Sequence, residues 1–175
     1  MTAADLPLAV VHLPIVKSLD WPDEAATARF ASVLAAQAEL SQAYIELAGD
    51  LGAGKTTLVR HLLRALGVAG RIKSPTYAVV ECYELPTLTV WHFDFYRFSD
   101  PREWIDAGFR DIFASPGLKL AEWPDHAGGC VPQADLRLQL SVADDESRQV
   151  TLSAYSCVGA ALLAGATAAR DQAES

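Results

Sequence analysis

Residues 49–56 constrain the fold of this chain most, because they read Gly-Asp-Leu-Gly-Ala-Gly-Lys-Thr and match G-x-x-x-x-G-K-[ST] at every fixed position. Gly49, Gly52 and Gly54 let the backbone curl so that successive N–H groups point inward and form a nest for an anion. An apolar run, Ala43–Ala48, precedes the motif, and an amphipathic stretch follows it from about Lys55 to Leu66. A strand, a glycine loop and a helix in this order predict a phosphate-binding loop.

The side chains at the end of the motif suit a nucleoside triphosphate. Lys55 is placed to reach the β- and γ-phosphates, and the Thr56 hydroxyl is placed to coordinate Mg²⁺. The N–H group and side chain of Thr57 would complete the cradle around the α-phosphate. The spacing therefore predicts a site for a nucleotide with its magnesium ion.

The remaining hydrophobic patterns predict an α/β fold of three layers, in which helices flank a mixed central sheet. A helix begins near Pro22 and fades near Gln37, and the apolar stretch Cys157–Ala169 suits a C-terminal helix that docks on the core. We expect residues 1–155 to form a single domain and residues 156–175 to form a C-terminal helix or tail. Four strands are expected at Thr76–Leu85, Thr87–Phe95, Leu118–Ala121 and Leu136–Val142, a weaker one at Arg148–Tyr155, and a short helix at Pro101–Ala107.

Composition and cysteine usage bound the class of protein. The chain has 175 residues, of which 51% are hydrophobic and 21% charged, so it is typical of one globular domain. The 3 cysteines form no C-x-x-C pair, which favours a reducing compartment. The N-terminal apolar run is interrupted by Pro7, His12 and Pro14, so it does not have the pattern of a signal peptide. We expect a cytoplasmic protein that does not enter a membrane.

The charge is unevenly distributed along the chain. The net charge is −8, which makes the whole chain a poor candidate for binding nucleic acid by phosphate neutralisation. Residues 51–80 differ, because they carry 5 basic side chains and no acidic one. One positive segment in an acidic chain suits a bound polyanion such as a nucleotide.

Two carboxylates follow predicted strands and could serve the metal. Asp94 comes directly after Leu88–Phe93, and Glu122 comes after Leu118–Ala121. A phosphate-loop enzyme needs such an acid at the end of a neighbouring strand. The residues alone leave open which carboxylate contacts Mg²⁺ and which orients the attacking water. Ser74-Pro75-Thr76 could sense the γ-phosphate, although an ordinary proline turn is favoured on these residues alone.

Four motifs taken together carry a family resemblance. They are Gly-Asp-Leu-Gly-Ala-Gly-Lys-Thr-Thr at 49–57, Lys-Ser-Pro-Thr-Tyr at 73–77, His-Phe-Asp-Phe-Tyr-Arg at 92–97 and Glu-Trp-Pro at 122–124. In order and spacing the chain resembles the TsaE (YjeE) family, the P-loop ATPases of bacterial tRNA threonylcarbamoyladenosine (t6A) biosynthesis, over about residues 20–155. Glu46 departs from the expected pattern, since it lies inside the strand before the loop, where an apolar residue would be usual.

The resemblance implies roles for single residues. Asp94 would be the essential acid near the γ-phosphate, with Thr76 in a switch-like loop beside it, and Lys55 would join them in catalysis. Thr56 and Glu122 would hold Mg²⁺, and Trp123 would lie close to the phosphates. The residues implied to bind ATP are Gly49, Gly52, Ala53, Gly54, Lys55, Thr56, Thr57 and Trp123.

The resemblance also implies a function and partners. Family members work with the TsaD and TsaB proteins, which install threonylcarbamoyl on adenosine 37 of tRNAs reading ANN codons, and ATP hydrolysis would reset that complex. Turnover would be weak alone and activated by the partners, tRNA would be reached only through the complex, and no DNA would be bound. A small-molecule kinase and a non-hydrolysing ATP-binding switch are the alternatives.

Overall fold

Strands and helices alternate along residues 14–173, the part of the chain that the computed structural model describes. Short 3-10 turns occur at Ala38–Gln42 and Pro124–Ala127. The strands are β1 (Ile15–Trp21), β2 (Tyr44–Ala48), β3 (Val80–Leu85), β4 (Leu88–Asp94), β5 (Leu118–Glu122), β6 (Leu136–Val142) and β7 (Arg148–Ala154). The α-helices are α1 (Glu24–Ala35), α2 (Lys55–Ala65), α3 (Pro101–Asp106), α4 (Phe109–Ala114) and α5 (Cys157–Ala173).

All seven strands join one mixed sheet in the order β1-β7-β6-β2-β5-β4-β3. The middle strands β6, β2, β5 and β4 are mutually parallel, whereas β1, β7 and β3 pair antiparallel at the two sides. Strand β2 lies in the centre and is buried along its whole length. The carboxyl ends of β2, β4 and β5 therefore meet at one edge of the sheet, where α/β proteins bind ligands.

Helices cover both faces of the sheet and give the predicted three-layer α/β architecture. An aliphatic core joins one face to α1, α2 and α5, and it includes Leu34, Leu58, Leu62 and Leu163. An aromatic cluster joins the other face to α3 and α4. Its buried members are Tyr44, Phe93, Phe95, Phe98, Trp104 and Phe109.

The predicted elements are confirmed except near Thr76. The strand expected from that residue begins instead at Val80, and residues 76–79 form a turn in which the N–H of Val79 donates to Pro75 O at 2.6 Å. Val79 has φ 66°, a backbone conformation that β-branched residues avoid. The Thr76 hydroxyl bonds to Asp94, so a side-chain contact outweighs the strand preference of the segment. Strand β1 and helix α4 were not predicted.

Helix α5 docks on the sheet through Asp135, the residue before β6. The Asp135 carboxylate accepts hydrogen bonds from Ser156 Oγ at 2.5 Å and from Tyr44 N at 2.8 Å. Gln37 Nε2 donates to Leu162 O at 3.3 Å and ties the helix to the end of α1. No helix within residues 14–173 is long and apolar enough to cross a membrane. Pro7 and His12, on which the signal-peptide argument rests, lie outside the described residues.

Candidate functional site

The predicted phosphate loop connects β2 to α2 at the carboxyl edge of the sheet. Gly49 has φ 139°, and a Cβ atom there would lie 2.2 Å from Leu140 O, so the chain needs glycine at this position. Gly54 also has positive φ (105°) and immediately precedes the helix. The first turn of any α-helix leaves its N–H groups without intrahelical partners, and here those groups begin at Lys55. Such an N-terminus attracts anions.

Lys55 is buried beneath the loop with only 4% of its surface exposed. Its Nζ donates to Gly49 O at 2.5 Å and to Asp50 O at 2.8 Å, and it lies 3.8 Å from the centroid of the Trp123 ring. Burial lowers the pKa of the Lys55 ammonium, although nearby carboxylates, Glu122 first among them, raise it. A bound phosphate would supply the counter-charge that a buried ammonium favours.

Glu122 is held on both carboxylate oxygens. Thr56 Oγ1 donates to Glu122 Oε2 at 2.7 Å, and His92 Nε2 lies 2.8 Å from Glu122 Oε1. His92 is fully buried, and its Nδ1 has no hydrogen-bond partner among the described residues. Since Nε2 faces a carboxylate oxygen, it carries the proton and donates it. His92 is thus a buried, hydrogen-bonded residue of β4.

Asp94 is the second buried carboxylate at this edge. Its Oδ2 accepts from Thr76 Oγ1 at 2.7 Å and also from Ser74 Oγ, and its Oδ1 accepts from Tyr96 N at 2.9 Å. The turn that contains Thr76 therefore folds over the end of β4. The hydrogen bonds from Ser74 and Thr76 thus fix the orientation of the Asp94 carboxylate. They come from a segment that lies outside the sheet.

Strand register explains why the two acids meet. Strands β4 and β5 run parallel, and Asp94 pairs with Glu122 at the last position of the ladder. Leu47 of β2 also pairs with Glu122, which brings the loop beside both acids. A cavity of about 300 Å³ lies among them. It is lined by Leu51, Gly52, Gly54, Lys55, Thr56, Thr57, Ser74, Thr76, Asp94, Tyr96, Glu122 and Trp123.

Most of the predicted site residues line this cavity, and two do not. Gly49 shapes the loop and offers its carbonyl to Lys55, while Ala53 is buried in the aliphatic core at 1% exposure. Tyr96 and Leu51 also line the cavity but were not predicted as site residues, and Ser74 was expected only as part of the candidate Ser74-Pro75-Thr76 loop. Ser74 and Tyr96 lie within two positions of Thr76 and Asp94, so adjacency in the chain was the available signal.

Trp123 adopts φ 57° and ψ 47°, and this left-handed conformation directs the chain away from the sheet after Glu122. Its ring covers Lys55 and packs against Tyr96, with ring centroids 5.0 Å apart. His126 Nδ1 lies 2.9 Å from Tyr96 O and closes this aromatic wall. A strained backbone beside a buried cation is typical of functional sites.

Glu46 is accommodated in its strand by a buried polar network. Tyr44 Oη donates to Glu46 Oε1 at 3.1 Å, and Arg137 Nη1 lies 3.1 Å from Glu46 Oε2. Arg137 also reaches Asp125 Oδ2 at 2.8 Å, and so joins β2 to the turn after Trp123. Burial is the largest influence on Glu46 and raises its pKa, while Tyr44 and Arg137 lower it.

The donor set of the cavity suits a nucleotide phosphate and a hard cation. A hydroxyl from Thr56 and buried carboxylates from Glu122 and Asp94 are oxygen donors, which Mg²⁺ prefers, and it completes its shell with phosphates and waters. No group of three or more His, Cys, Asp and Glu side chains arranged for a metal occurs in the described part of the chain. The residues therefore fit a metal bound together with a phosphate.

A central parallel sheet with a glycine loop, a buried lysine and two acids at its carboxyl edge defines a P-loop nucleotide-binding protein. The family model for the threonylcarbamoyl adenosine biosynthesis protein TsaE matches residues 21–150. The chain belongs to the TsaE family, and the resemblance read from its four motifs is confirmed.

Individual relatives agree with this assignment. The tRNA threonylcarbamoyladenosine biosynthesis protein TsaE of Haemophilus influenzae is 39% identical over 142 residues, which cover 79% of this chain and 89% of that protein. The protein of the same name from Bacillus subtilis is 34% identical over 143 residues, covering 79% and 87%. The crystal structure of Bacillus subtilis YdiB superposes with a TM-score of 0.73 at 26% identity, covering 91% of this chain and 99% of that one.

Proposed function

We propose that this chain binds Mg-ATP and hydrolyses it during formation of threonylcarbamoyladenosine at adenosine 37 of tRNAs reading ANN codons. Hydrolysis resets a complex of TsaB and TsaD between turnovers and is weak without them. The observation that carries this proposal is the convergence of Lys55, Thr56, Asp94 and Glu122 on one cavity beside the glycine loop. The names of the relatives support the pathway.

Each cavity residue has a distinct part in this reaction. Lys55 and the loop N–H groups bind the β- and γ-phosphates, and Thr56 and Glu122 hold the magnesium ion. That ion would neutralise charge on the phosphate oxygens. His92 orients Glu122 through the other carboxylate oxygen. Trp123 covers Lys55 and excludes water from one side of it.

Asp94 accepts a proton from, or orients, the attacking water. Its Oδ2 accepts hydrogen bonds from Ser74 and Thr76, and its Oδ1 accepts one from Tyr96 N. These contacts hold the carboxylate at the cavity wall. Thr76 belongs to the same wall, so a shift of its turn on binding of the γ-phosphate would release one of the two hydrogen bonds to Asp94 Oδ2. This coupling supports a switch-like role for Thr76.

The small number of basic side chains around the cavity supports the dependence on partners. Lys55 is the only basic side chain among the lining residues that the structure describes. Arg97, the nearest candidate for an arginine finger in the chain itself, stacks on Tyr77 instead, with its guanidinium carbon 4.5 Å from the ring centroid. In phosphoryl-transfer enzymes, an arginine supplied by another protein raises the catalytic rate by about 10³–10⁵.

The test is phosphate release from Mg-ATP by the purified chain, alone and with the TsaB–TsaD pair from the same source. We expect slow release alone, stimulation by the pair, and loss of the stimulated rate in Asp94→Ala with ATP binding retained. Asp111→Ala is the matched control, because Asp111 is an exposed acid on α4.

Other outcomes would replace the proposal. Release that is indifferent to the pair but rises with added phosphoryl acceptors would identify a small-molecule kinase. ATP binding without release in either condition would identify a non-hydrolysing switch. t6A formation that survives Asp94→Ala undiminished would show that hydrolysis is not the function.

A further inference from the structure

A basic cleft lies next to the nucleotide cavity, between the outer side of α2 and the segment that leads to the Thr76 turn. Its volume is about 410 Å³. Two of its arginines are one helical turn apart on α2, and the other two cations come from residues 71–73. We define the basic cleft by its lining residues, Arg60, Arg64, Arg71, Ile72, Lys73 and Ser74.

The cations of the basic cleft are not neutralised by other described residues. All four are exposed, and within residues 14–173 none of them belongs to an ion pair. Arg60 Nε donates to Ile72 O at 3.4 Å and Arg64 Nη1 donates to Val68 O at 3.0 Å. These two bonds fix the guanidinium groups and leave most of their five N–H donors free.

The local charge, and not the net charge, decides what can bind here. Residues 51–80 carry 5 basic side chains and no acidic one, although the whole chain has a net charge of −8. At physiological ionic strength charges are screened beyond about 8 Å. A ligand seated among the four cleft cations therefore experiences a positive field.

The lining favours phosphates over an acidic protein segment. Ile72 is the only apolar residue among the described residues that line the cleft, and it is buried at 4% exposure. Protein partners need an apolar centre in the interface, whereas nucleic-acid interfaces are polar and positively charged. Arginine side chains also match the geometry of phosphate oxygens with paired N–H donors.

We propose that the basic cleft binds the phosphate backbone of an RNA. The choice of RNA as the source of the phosphates rests on the proposed function in tRNA modification. Ser74 lines both the cleft and the nucleotide cavity and bonds to Asp94. RNA bound in the cleft lies against the segment with Ser74 that contacts Asp94. This chain then contacts RNA directly, in addition to its indirect contact with tRNA through TsaB and TsaD.

The experiment measures binding of a fluorescently labelled tRNA transcript to the full chain by anisotropy, from about 50 to about 200 mM salt. The test variant is Arg71→Gln/Lys73→Gln, because neither side chain makes a hydrogen bond with another described residue. The matched control is Lys17→Gln/Arg29→Gln, which removes the same two charges from exposed positions on β1 and α1.

We expect the test variant to bind the transcript about tenfold more weakly than the parent at low salt, with the control unchanged. The slope of log affinity against log salt should fall by about 2 in the test variant, since each lost phosphate contact removes about 1. Equal affinities for both variants would overturn the proposal. So would absence of RNA binding by the parent.

The same proteins separate this inference from the proposed function. ATP binding and phosphate release are measured on each variant without RNA, and both should remain at the parental level. RNA binding that depends on the cleft would stand even if Asp94→Ala left phosphate release intact. If RNA binding does not depend on the basic cleft while partner-stimulated hydrolysis is intact, only the assignment of the cleft is overturned and the proposed function stands.

Discussion

Thr56 Oγ1 donates a hydrogen bond to Glu122 Oε2 at 2.7 Å, and this contact joins the first turn of α2 to the last residue of β5. The other oxygen of Glu122 receives His92 Nε2 from the neighbouring strand. Glu122 is 2% exposed, so these donors, together with the nearby Lys55 ammonium, offset the cost of burying its carboxylate. The site is therefore held in position before a ligand enters it.

The Thr56 hydroxyl should be needed both for this contact and for binding Mg-ATP. Thr56→Val removes the donor at nearly constant volume, and we expect the unfolding free energy to fall by about 1–3 kcal/mol because a buried carboxylate loses a partner. Thr56→Ser retains the hydroxyl and should keep most of both properties. Urea unfolding and calorimetric titration of ATP, with and without Mg²⁺, measure the two effects. Full Mg-ATP affinity in Thr56→Val would contradict the role of this hydroxyl.

His92 should act on the metal through Glu122. His92→Leu leaves Glu122 Oε1 without its donor, and we expect metal affinity in the nucleotide complex to fall about 10- to 100-fold. His92→Gln offers an amide N–H in place of Nε2–H and should restore much of that affinity. Mn²⁺ titration followed by electron paramagnetic resonance measures binding without turnover. A role in packing alone predicts equal metal affinity in the two variants once both are folded.

Glu46 should make the stability depend on pH in an unusual direction. Because burial raises its pKa above 4.5 in the folded chain, its favourable contribution is complete at low pH and is lost as pH rises through the folded-state pKa. The unfolding free energy of the parent, relative to Glu46→Gln, should therefore decrease as pH rises above about 4.5. Urea unfolding at several pH values measures it. An increase over that range would mean that Arg137 outweighs burial.

Gly159 should tolerate no side chain, although it lies inside α5. Gly-to-Ala changes in helices usually stabilise by about 0.5–1 kcal/mol. Here a Cβ atom would lie 1.8 Å from Asp135 O, so Gly159→Ala should instead destabilise the chain by about 1–3 kcal/mol. Gly165→Ala is the comparison, since the three atoms nearest to its Cβ all belong to the flexible end of Gln37, which can move although it then gives up its hydrogen bond to Leu162 O. Thermal unfolding of both variants checks the sign, and a stabilised Gly159→Ala would contradict this docking of α5.

Local patterns predicted most elements because they depend on neighbouring residues. The helix expected from near Pro22 is α1, and Asp23 caps it, because its side chain accepts the N–H of Ala26 at 2.8 Å. Strand β1 escaped prediction because its alternation is weak and because its one partner within residues 14–173, β7, is distant in the chain. The continuation of the proline turn over residues 76–79 escaped prediction because Asp94, which stabilises it, is 18 positions from Thr76.

The sequence by itself determined the phosphate loop, because glycines, lysine and threonine act there through the backbone of one short segment. Only the tertiary structure decided how Asp94 and Glu122 relate to that loop, since their meeting depends on the parallel register of β4 and β5. The same holds for the donor that His92 offers to Glu122 and for the cleft formed by α2 and residues 71–74. Contacts between segments far apart in the chain arise from packing of the whole sheet, which no local pattern encodes.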